Sequence, residues 1–252
     1  MDQPFSRLEL LIGEEGLRRL RQARVLVFGL GGVGSWATET LGRGGVGHVG
    51  LVDYDVIKPS NINRQLPATH STVGRLKTDV MREHLLDVNP QADISSFPTR
   101  VTPDNLPSVL AAFPNCDYII DAIDEKLAKR ELILTALREK RPIISSMGAA
   151  NKLSAADIQV ADISETHGCP LARGIRKFLR QNGIESGLQV VYSPELPVFL
   201  QNGAFKGDDP DALPGEKGPM GTIAYVPMLM GIRCAAEVIR HLLTNQEYKH
   251  RG

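Results

Sequence analysis

Short apolar runs alternate with amphipathic stretches through the first part of the chain. Residues 24–28 (R-V-L-V-F) are β-branched, apolar and followed by glycines, and residues 33–41 continue with helical spacing. Further apolar runs at 49–52, 93–97, 117–120 and 143–145 predict strands. Stretches at 76–86, 105–113 and 126–139 predict helices, the last with Leu127, Leu132, Leu134 and Leu137 as its apolar positions. Alternating short strands and helices predict an α/β, Rossmann-like fold, a mostly parallel sheet with helices on both faces.

Past Gly148 the rhythm changes and predicts an elaborated C-terminal half. A strand is expected at 158–163, a helix opened by Pro170 at 170–181, and a short strand at 189–192. Residues 193–221 collect Pro, Gly and Asp and predict a long mobile loop. The most apolar helix spans 223–243. Its Arg233, Glu237, Arg240 and His241 argue against a membrane span, and Pro227 with Gly231 predicts a kinked core helix.

A length of 252 residues suits one large domain over 1–252, with the change of character near residue 150. With 29 basic and 29 acidic side chains the formal net charge is zero, so nothing pulls the whole molecule toward nucleic acid or an anionic membrane. A polyanionic partner would need a local patch. Cys116, Cys169 and Cys234 lie far apart without a C-x-x-C pair, which excludes a disulfide framework and a four-cysteine zinc site. Reduced thiols, and an N-terminus without an apolar run, fit a cytoplasmic protein.

Gly29-Leu30-Gly31-Gly32-Val33-Gly34 joins a predicted strand to a predicted helix. Glycines there permit a tight turn and close backbone approach, and the helix start offers N–H groups to phosphate. Asp53 ends the next strand, where a carboxylate can accept from ribose hydroxyls. These features alone suggest a nicotinamide dehydrogenase. The segment that follows suggests another chemistry. Asp53-Tyr54-Asp55 leads into Ser60-Asn61-Ile62-Asn63-Arg64-Gln65 and Gly74-Arg75-Leu76-Lys77. Arg64, a planar fork, and Lys77, a point charge, suit a triphosphate whose charge builds during nucleotidyl transfer. Asp121 and Asp124 end a further strand and are expected to face the same crevice. Asp124 is either a magnesium ligand or the N-cap of the next helix.

Together, G-L-G-G-V-G-S, L-V-D-Y-D, S-N-I-N-R-Q, G-R-L-K and D-A-I-D resemble the ubiquitin-activating-enzyme-like adenylyltransferase superfamily over roughly residues 5–150. The resemblance implies ATP with Mg2+, activation of a carboxylate as an acyl adenylate, and a homodimer. It makes 1–150 the ATP-binding half and 151–252 the substrate-binding and dimerisation half. The implied nucleotide residues are Gly29, Gly31, Gly32, Gly34, Asp53, Asp55, Asn61, Asn63, Arg64, Lys77 and Asp124, with Asp124 holding the metal. Arg7, in Phe5-Ser6-Arg7, is similar to an arginine that reaches across the dimer into the partner's site, and joins Arg64, Lys77 and Asp124 as the catalytic set.

The missing C-x-x-C pairs depart from the sulfur-carrier activators of that superfamily. The second half, with Gly148-Ala149-Ala150-Asn151-Lys152, Cys169-Pro170-Leu171-Ala172-Arg173 and Gly221-Thr222-Ile223-Ala224-Tyr225-Val226-Pro227, resembles the tRNA threonylcarbamoyladenosine dehydratase family. That implies ATP-dependent dehydration, by cyclisation, of threonylcarbamoyladenosine at position 37 of tRNA, with release of AMP and pyrophosphate. The alternative is adenylation of the C-terminal carboxylate of a ubiquitin-like or sulfur-carrier protein, and a sulfur-relay protein is a candidate partner beside the tRNA. Arg173, Arg176, Lys177 and Arg180 fall on one helical stripe, either an RNA contact or a solvated face. Cys169 is either an acyl acceptor or a packed core residue. The turn at Gly221 and Thr222 is a candidate Na+ or K+ site.

Overall fold

The computed structural model describes residues 3–199 and 220–244. Among these, the apolar runs form seven strands: β1 (Arg24–Phe28), β2 (His48–Val52), β3 (Asp93–Phe97), β4 (Tyr118–Asp121), β5 (Ile143–Ser146), β6 (Gln159–Asp162) and β7 (Gln189–Tyr192). They make one sheet in the order β3-β2-β1-β4-β5-β7-β6. Every neighbouring pair is parallel except β6 with β7, so the mostly parallel α/β expectation holds and the elaborated half supplies the antiparallel edge. The chain builds outward from β1 to β3, then returns beside β1 with β4. This reversal of direction opens a crevice at the carboxyl ends of β1 and β4.

The helices are α1 (Ser6–Gln22), α2 (Gly34–Arg43), α3 (Lys77–Val88), α4 (Leu106–Ala112), α5 (Lys126–Arg138), α6 (Pro170–Gln181) and α7 (Tyr225–Leu242). Strand side chains alternate between the two faces, as the pleat requires. Val25, Val27, Tyr118, Ile120 and Ile144 join Leu17, Leu41, Met81 and Met230 in one core, under α1, α2, α3 and α7. Leu26, Phe28, Ile119 and Ile143 join Leu106, Leu132 and Ile175 in the other, under α4, α5 and α6.

Three elements differ from the sequence expectation. The pattern shows no helix before β1, yet α1 is there, interrupted at Gly13, whose φ of 73° and ψ of 169° are non-helical. Leu127, expected on the apolar face of α5, is 69% exposed; the buried face is Ala128, Leu132, Ile133 and Ala136, with Lys129 among them. The kink expected at Pro227 and Gly231 gives way to one continuous helix. Pro227 falls in its first turn, where no intrahelical N–H bond is lost. Gly231 serves contact: a Cβ there would lie 2.2 Å from the Val33 carbonyl oxygen, so α7 crosses α2 backbone to backbone. Most of the loop expected at 193–221 lies outside the described residues.

Gly231→Val is expected to lower the unfolding free energy by about 3 kcal/mol, because backbone cannot turn aside as a side chain can. Gly174, in α6, meets nothing within 4 Å. Gly174→Ala is therefore expected to raise stability by about 0.5–1 kcal/mol through helix propensity alone. Urea unfolding of the two variants checks both signs.

Candidate active site

The crevice is floored by the Gly29–Gly34 loop. Gly29 has a φ of 86°, and a Cβ on it would fall 2.6 Å from the Ala122 carbonyl oxygen, so the turn after β1 rests on the turn after β4. A Cβ on Gly34 would fall 1.7 Å from the Gly29 carbonyl oxygen, which tucks the start of α2 into the same turn. Asp53, at the end of β2, holds this loop: its Oδ2 accepts from the Leu30 N–H at 2.6 Å and its Oδ1 from the Asp55 N–H at 2.8 Å. Burial pushes the Asp53 carboxyl pKa up, against the pull of Lys77 and the two N–H groups. Among the described residues the N–H groups of Gly31, Gly32 and Val33 donate to nothing, which leaves them to an incoming oxyanion.

The cations stand around that floor. Lys77 opens α3, buried, with its Nζ 2.6 Å from Asp55 Oδ2 and 3.8 Å from Asp53 Oδ2. Arg64 lies half-buried over Gly32, its guanidinium donating to the Ser60 carbonyl at 2.8 Å and to Asn63 Oδ1 at 2.9 Å. Trp36 on α2 donates to the Arg64 carbonyl at 3.2 Å and fixes this segment to the loop. Asn61 is buried, its Oδ1 accepting from the Lys58 N–H. Asn63 donates to the Thr222 carbonyl at 2.9 Å, so it joins the first half of the chain to the second. Gln65, the last letter of S-N-I-N-R-Q, is a site residue that the sequence pattern does not single out. Its buried Oε1 has no partner among the described residues, and its Nε2 would lie 3.8 Å from a Cβ on Gly31.

The two aspartates after β4 separate. Asp124 is exposed, and among the described residues its carboxylate has no hydrogen bond or ion pair; the N-cap of α5 is Glu125, which pairs with Arg100 at 3.1 Å. Asp121 does not face the crevice as expected. It shares the strand parity of Ile119 and points to the α5 face, where it is fully buried 2.8 Å from Lys129 Nζ.

A family model described as the ThiF family matches residues 5–252. The chain belongs to the ThiF family. It is 40% identical over 247 residues to the tRNA threonylcarbamoyladenosine dehydratase of Bacillus subtilis, covering 97% of this chain and 96% of that protein. The solved Escherichia coli tRNA N6-threonylcarbamoyladenosine dehydratase TcdA in complex with ATP matches with a TM-score of 0.83 and 31% identity, over 96% of this chain and 94% of that one. The adenylyltransferase and sulfurtransferase MOCS3 of Culex quinquefasciatus is 37% identical over 143 residues, 56% of this chain and 32% of that protein.

Other expected residues of this ThiF-family chain fall outside the crevice. Arg7 is exposed and lines a shallow concavity with Phe5, Arg43 and Val88, at the C-terminal end of α2. The length of α2 therefore separates it from the loop of its own chain, about 14 Å at 1.5 Å per residue. Cys169 is 3% exposed, packed in the α4–α6 core near Gly148. Of the α6 stripe, Arg173, Lys177 and Arg180 are exposed without an ion pair among the described residues. Arg176 is half-buried and bonds the Thr166 carbonyl at 2.8 Å, so the stripe has three free cations where four were expected. At the 221–222 turn, the Gly221 carbonyl accepts from the Asn151 N–H and the Thr222 carbonyl from Asn63. No helix among the described residues is long and apolar enough to cross a membrane.

The loop glycines divide by role. Gly34→Ala is expected to lose the cooperative thermal transition or lower it by many degrees. Gly31→Ala, which meets only Gln65 Nε2 at 3.8 Å, is expected to keep its midpoint within about 3 °C while weakening ATP binding. Circular-dichroism melts with nucleotide titration separate the two.

Proposed function

We propose that this ThiF-family chain is an ATP-dependent tRNA threonylcarbamoyladenosine dehydratase. The observation that carries this is the likeness to the Bacillus subtilis dehydratase across both halves, 97% of this chain. The likeness to MOCS3 covers 56% of it, so the adenylating half is common to both readings and the remainder favours the tRNA substrate.

In this reading the threonyl carboxylate of the modified nucleoside attacks the α-phosphorus of ATP and pyrophosphate leaves. An atom of the same side chain then attacks the acyl adenylate, the five-membered ring closes, and AMP carries away the carboxylate oxygen. Tethering makes an enzyme nucleophile unnecessary, in keeping with the buried Cys169. The free N–H groups of Gly31, Gly32 and Val33 receive phosphate oxygens, Asp53 takes the ribose, and Arg64, Lys77 and Asn61 hold the triphosphate charge. Asp55 holds Lys77 until phosphate takes its place, and Asn63 anchors Arg64.

Asp124 suits Mg2+. Its carboxylate is exposed and has no partner among the described residues, and Mg2+ beside a triphosphate takes one or two carboxylates together with phosphate oxygens and water. When bound, the ion neutralises charge on the triphosphate. At the 221–222 turn the Thr222 carbonyl joins the halves through Asn63, and each of the two carbonyls keeps a lone pair with which an alkali cation could be held. Arg7 is read as acting in trans within a homodimer. Leu10 and Leu11 of α1, 73% and 71% exposed, supply apolar surface that a second copy would cover. Arg173, Lys177 and Arg180 are read as contacts to the tRNA backbone, and a tRNA substrate supports a cytoplasmic setting.

Incubation with ATP, Mg2+ and modified tRNA, followed by mass spectrometry, is expected to show loss of one water; pyrophosphate exchange with a carrier protein alone would overturn the assignment. Arg64→Ala is expected to abolish AMP formation at an unchanged unfolding midpoint. Lys77→Ala is expected to abolish it and also lower the midpoint, because Asp53 loses its buried cation.

Mixing Arg7→Ala with Lys77→Ala subunits, each inactive alone, is expected to restore about a quarter of wild-type activity through mixed dimers. Charge reversal at Arg173, Lys177 and Arg180 is expected to weaken tRNA binding and flatten the slope of log affinity against log salt by about 0.9 for each phosphate that is no longer neutralised. Unchanged salt dependence removes α6 from the interface.

A further inference from the structure

Asp121 and Lys129 form a fully buried ion pair that the nucleotide chemistry does not use. Their charged atoms lie 2.8 Å apart with both side chains wholly excluded from solvent. Desolvating two charges is expensive, and an apolar pair of similar volume packs as well or better, so stability alone does not account for this arrangement. What the pair does hold is specific. Asp121 Oδ1 accepts from the Ile123 N–H at 3.1 Å, and Lys129 Nζ donates to the Ile123 carbonyl at 3.1 Å. Both backbone polar groups of one turn residue are thus gripped by the two ends of the pair. Ser145, paired with Asp121 across β4 and β5, donates to Asp121 Oδ2 at 2.5 Å and fixes the carboxylate's rotation.

The gripped residue sits between the two functional points of the turn. Ala122, before it, carries the carbonyl on which Gly29 rests. Asp124, after it, carries an exposed carboxylate without a partner among the described residues. We propose that Lys129 and Asp121 are positioning residues: they clamp the 121–124 turn so that Asp124 meets a nucleotide-bound divalent cation at a fixed place over the glycine loop. This rests on the reading of Asp124 as the metal-side carboxylate. The clamp has the role of an outer-shell partner, one peptide removed from the ligand instead of bonded to it directly.

The test is equilibrium binding of α,β-methylene-ATP by calorimetry with and without Mg2+, together with thermal melts, on the full chain. The quantity of interest is the gain in analogue affinity that Mg2+ brings. Lys129→Met leaves a buried carboxylate unpaired, so its midpoint is expected to fall and its Mg2+ gain to shrink about ten-fold. The double variant Asp121→Asn with Lys129→Met removes both charges and keeps the contact to the Ile123 N–H. Its midpoint is expected to recover toward wild type while the Mg2+ gain stays about ten-fold reduced. Asp124→Asn is expected to abolish the gain. A double variant with the full Mg2+ gain, beside an Asp124→Asn that has lost it, overturns the clamp and leaves Asp124 standing. An Asp124→Asn that keeps the gain overturns both.

Discussion

The approach of Gly29 to the Ala122 carbonyl oxygen, too close for any side chain, is the constraint on which the rest of the site depends. Strands β1 and β4 are neighbours in the sheet, but the chain runs through β2 and β3 between them, and their following turns diverge to opposite faces. Where the turns part they must also touch, or the crevice would open into the core. A glycine at positive φ on one side and a clamped turn on the other achieve that contact. From it follow the position of α2, whose first glycine packs on the Gly29 carbonyl and the Ala122 side chain, and the bond from Leu30 to Asp53. The loop is therefore shaped before nucleotide arrives, and little ordering entropy remains to oppose binding.

The charges around the crevice are arranged for exchange. Lys77 is almost fully buried, yet Asp55, its short-range partner, is about half exposed, while Asp53 behind it is buried. On the proposed reading a phosphate oxygen displaces the exposed carboxylate without stripping Lys77 of its second, buried anion. Burial pushes the Asp53 carboxyl up and Lys77 pulls it back, so losing the lysine would leave Asp53 with only two N–H partners. The same logic distinguishes Asp121 from Asp124. One has both oxygens committed to protein donors in the core, and the other has none among the described residues.

What is legible in the sequence is what depends on local pattern. Strands of β-branched residues, the glycine loop, and the order of S-N-I-N-R-Q and G-R-L-K all survive into the structure because each is set within a few residues. What the pattern misplaces depends on parity or on distant partners. Asp121 reads as facing the crevice with Asp124, although one strand position decides its face; Ser145 and Lys129, which receive it there, are 24 and 8 residues away in the chain. Lys129 is hidden inside K-L-A-K-R-E, where any of the charged residues looks solvated. Helix α1 is obscured because Gly13 breaks its periodicity midway. On α6 the spacing places four cations on a stripe, but only the fold shows that the loop at Thr166 captures Arg176.

The second half is bound to the first at the glycine loop and beside Arg64. Pro227, opening α7, would stand 3.1 Å from a Cβ on Gly32, and the Thr222 carbonyl just before it accepts from Asn63, the neighbour and partner of Arg64. From there α7 crosses α2 at Gly231 and runs beneath the sheet. The 220–227 segment thus bears on Gly32 and on the neighbour of Arg64 together. In a chain with no net charge, long-range attraction cannot select a polyanion. On the proposed reading, selection falls to local contacts such as Arg173, Lys177 and Arg180, which have no ion pair among the described residues.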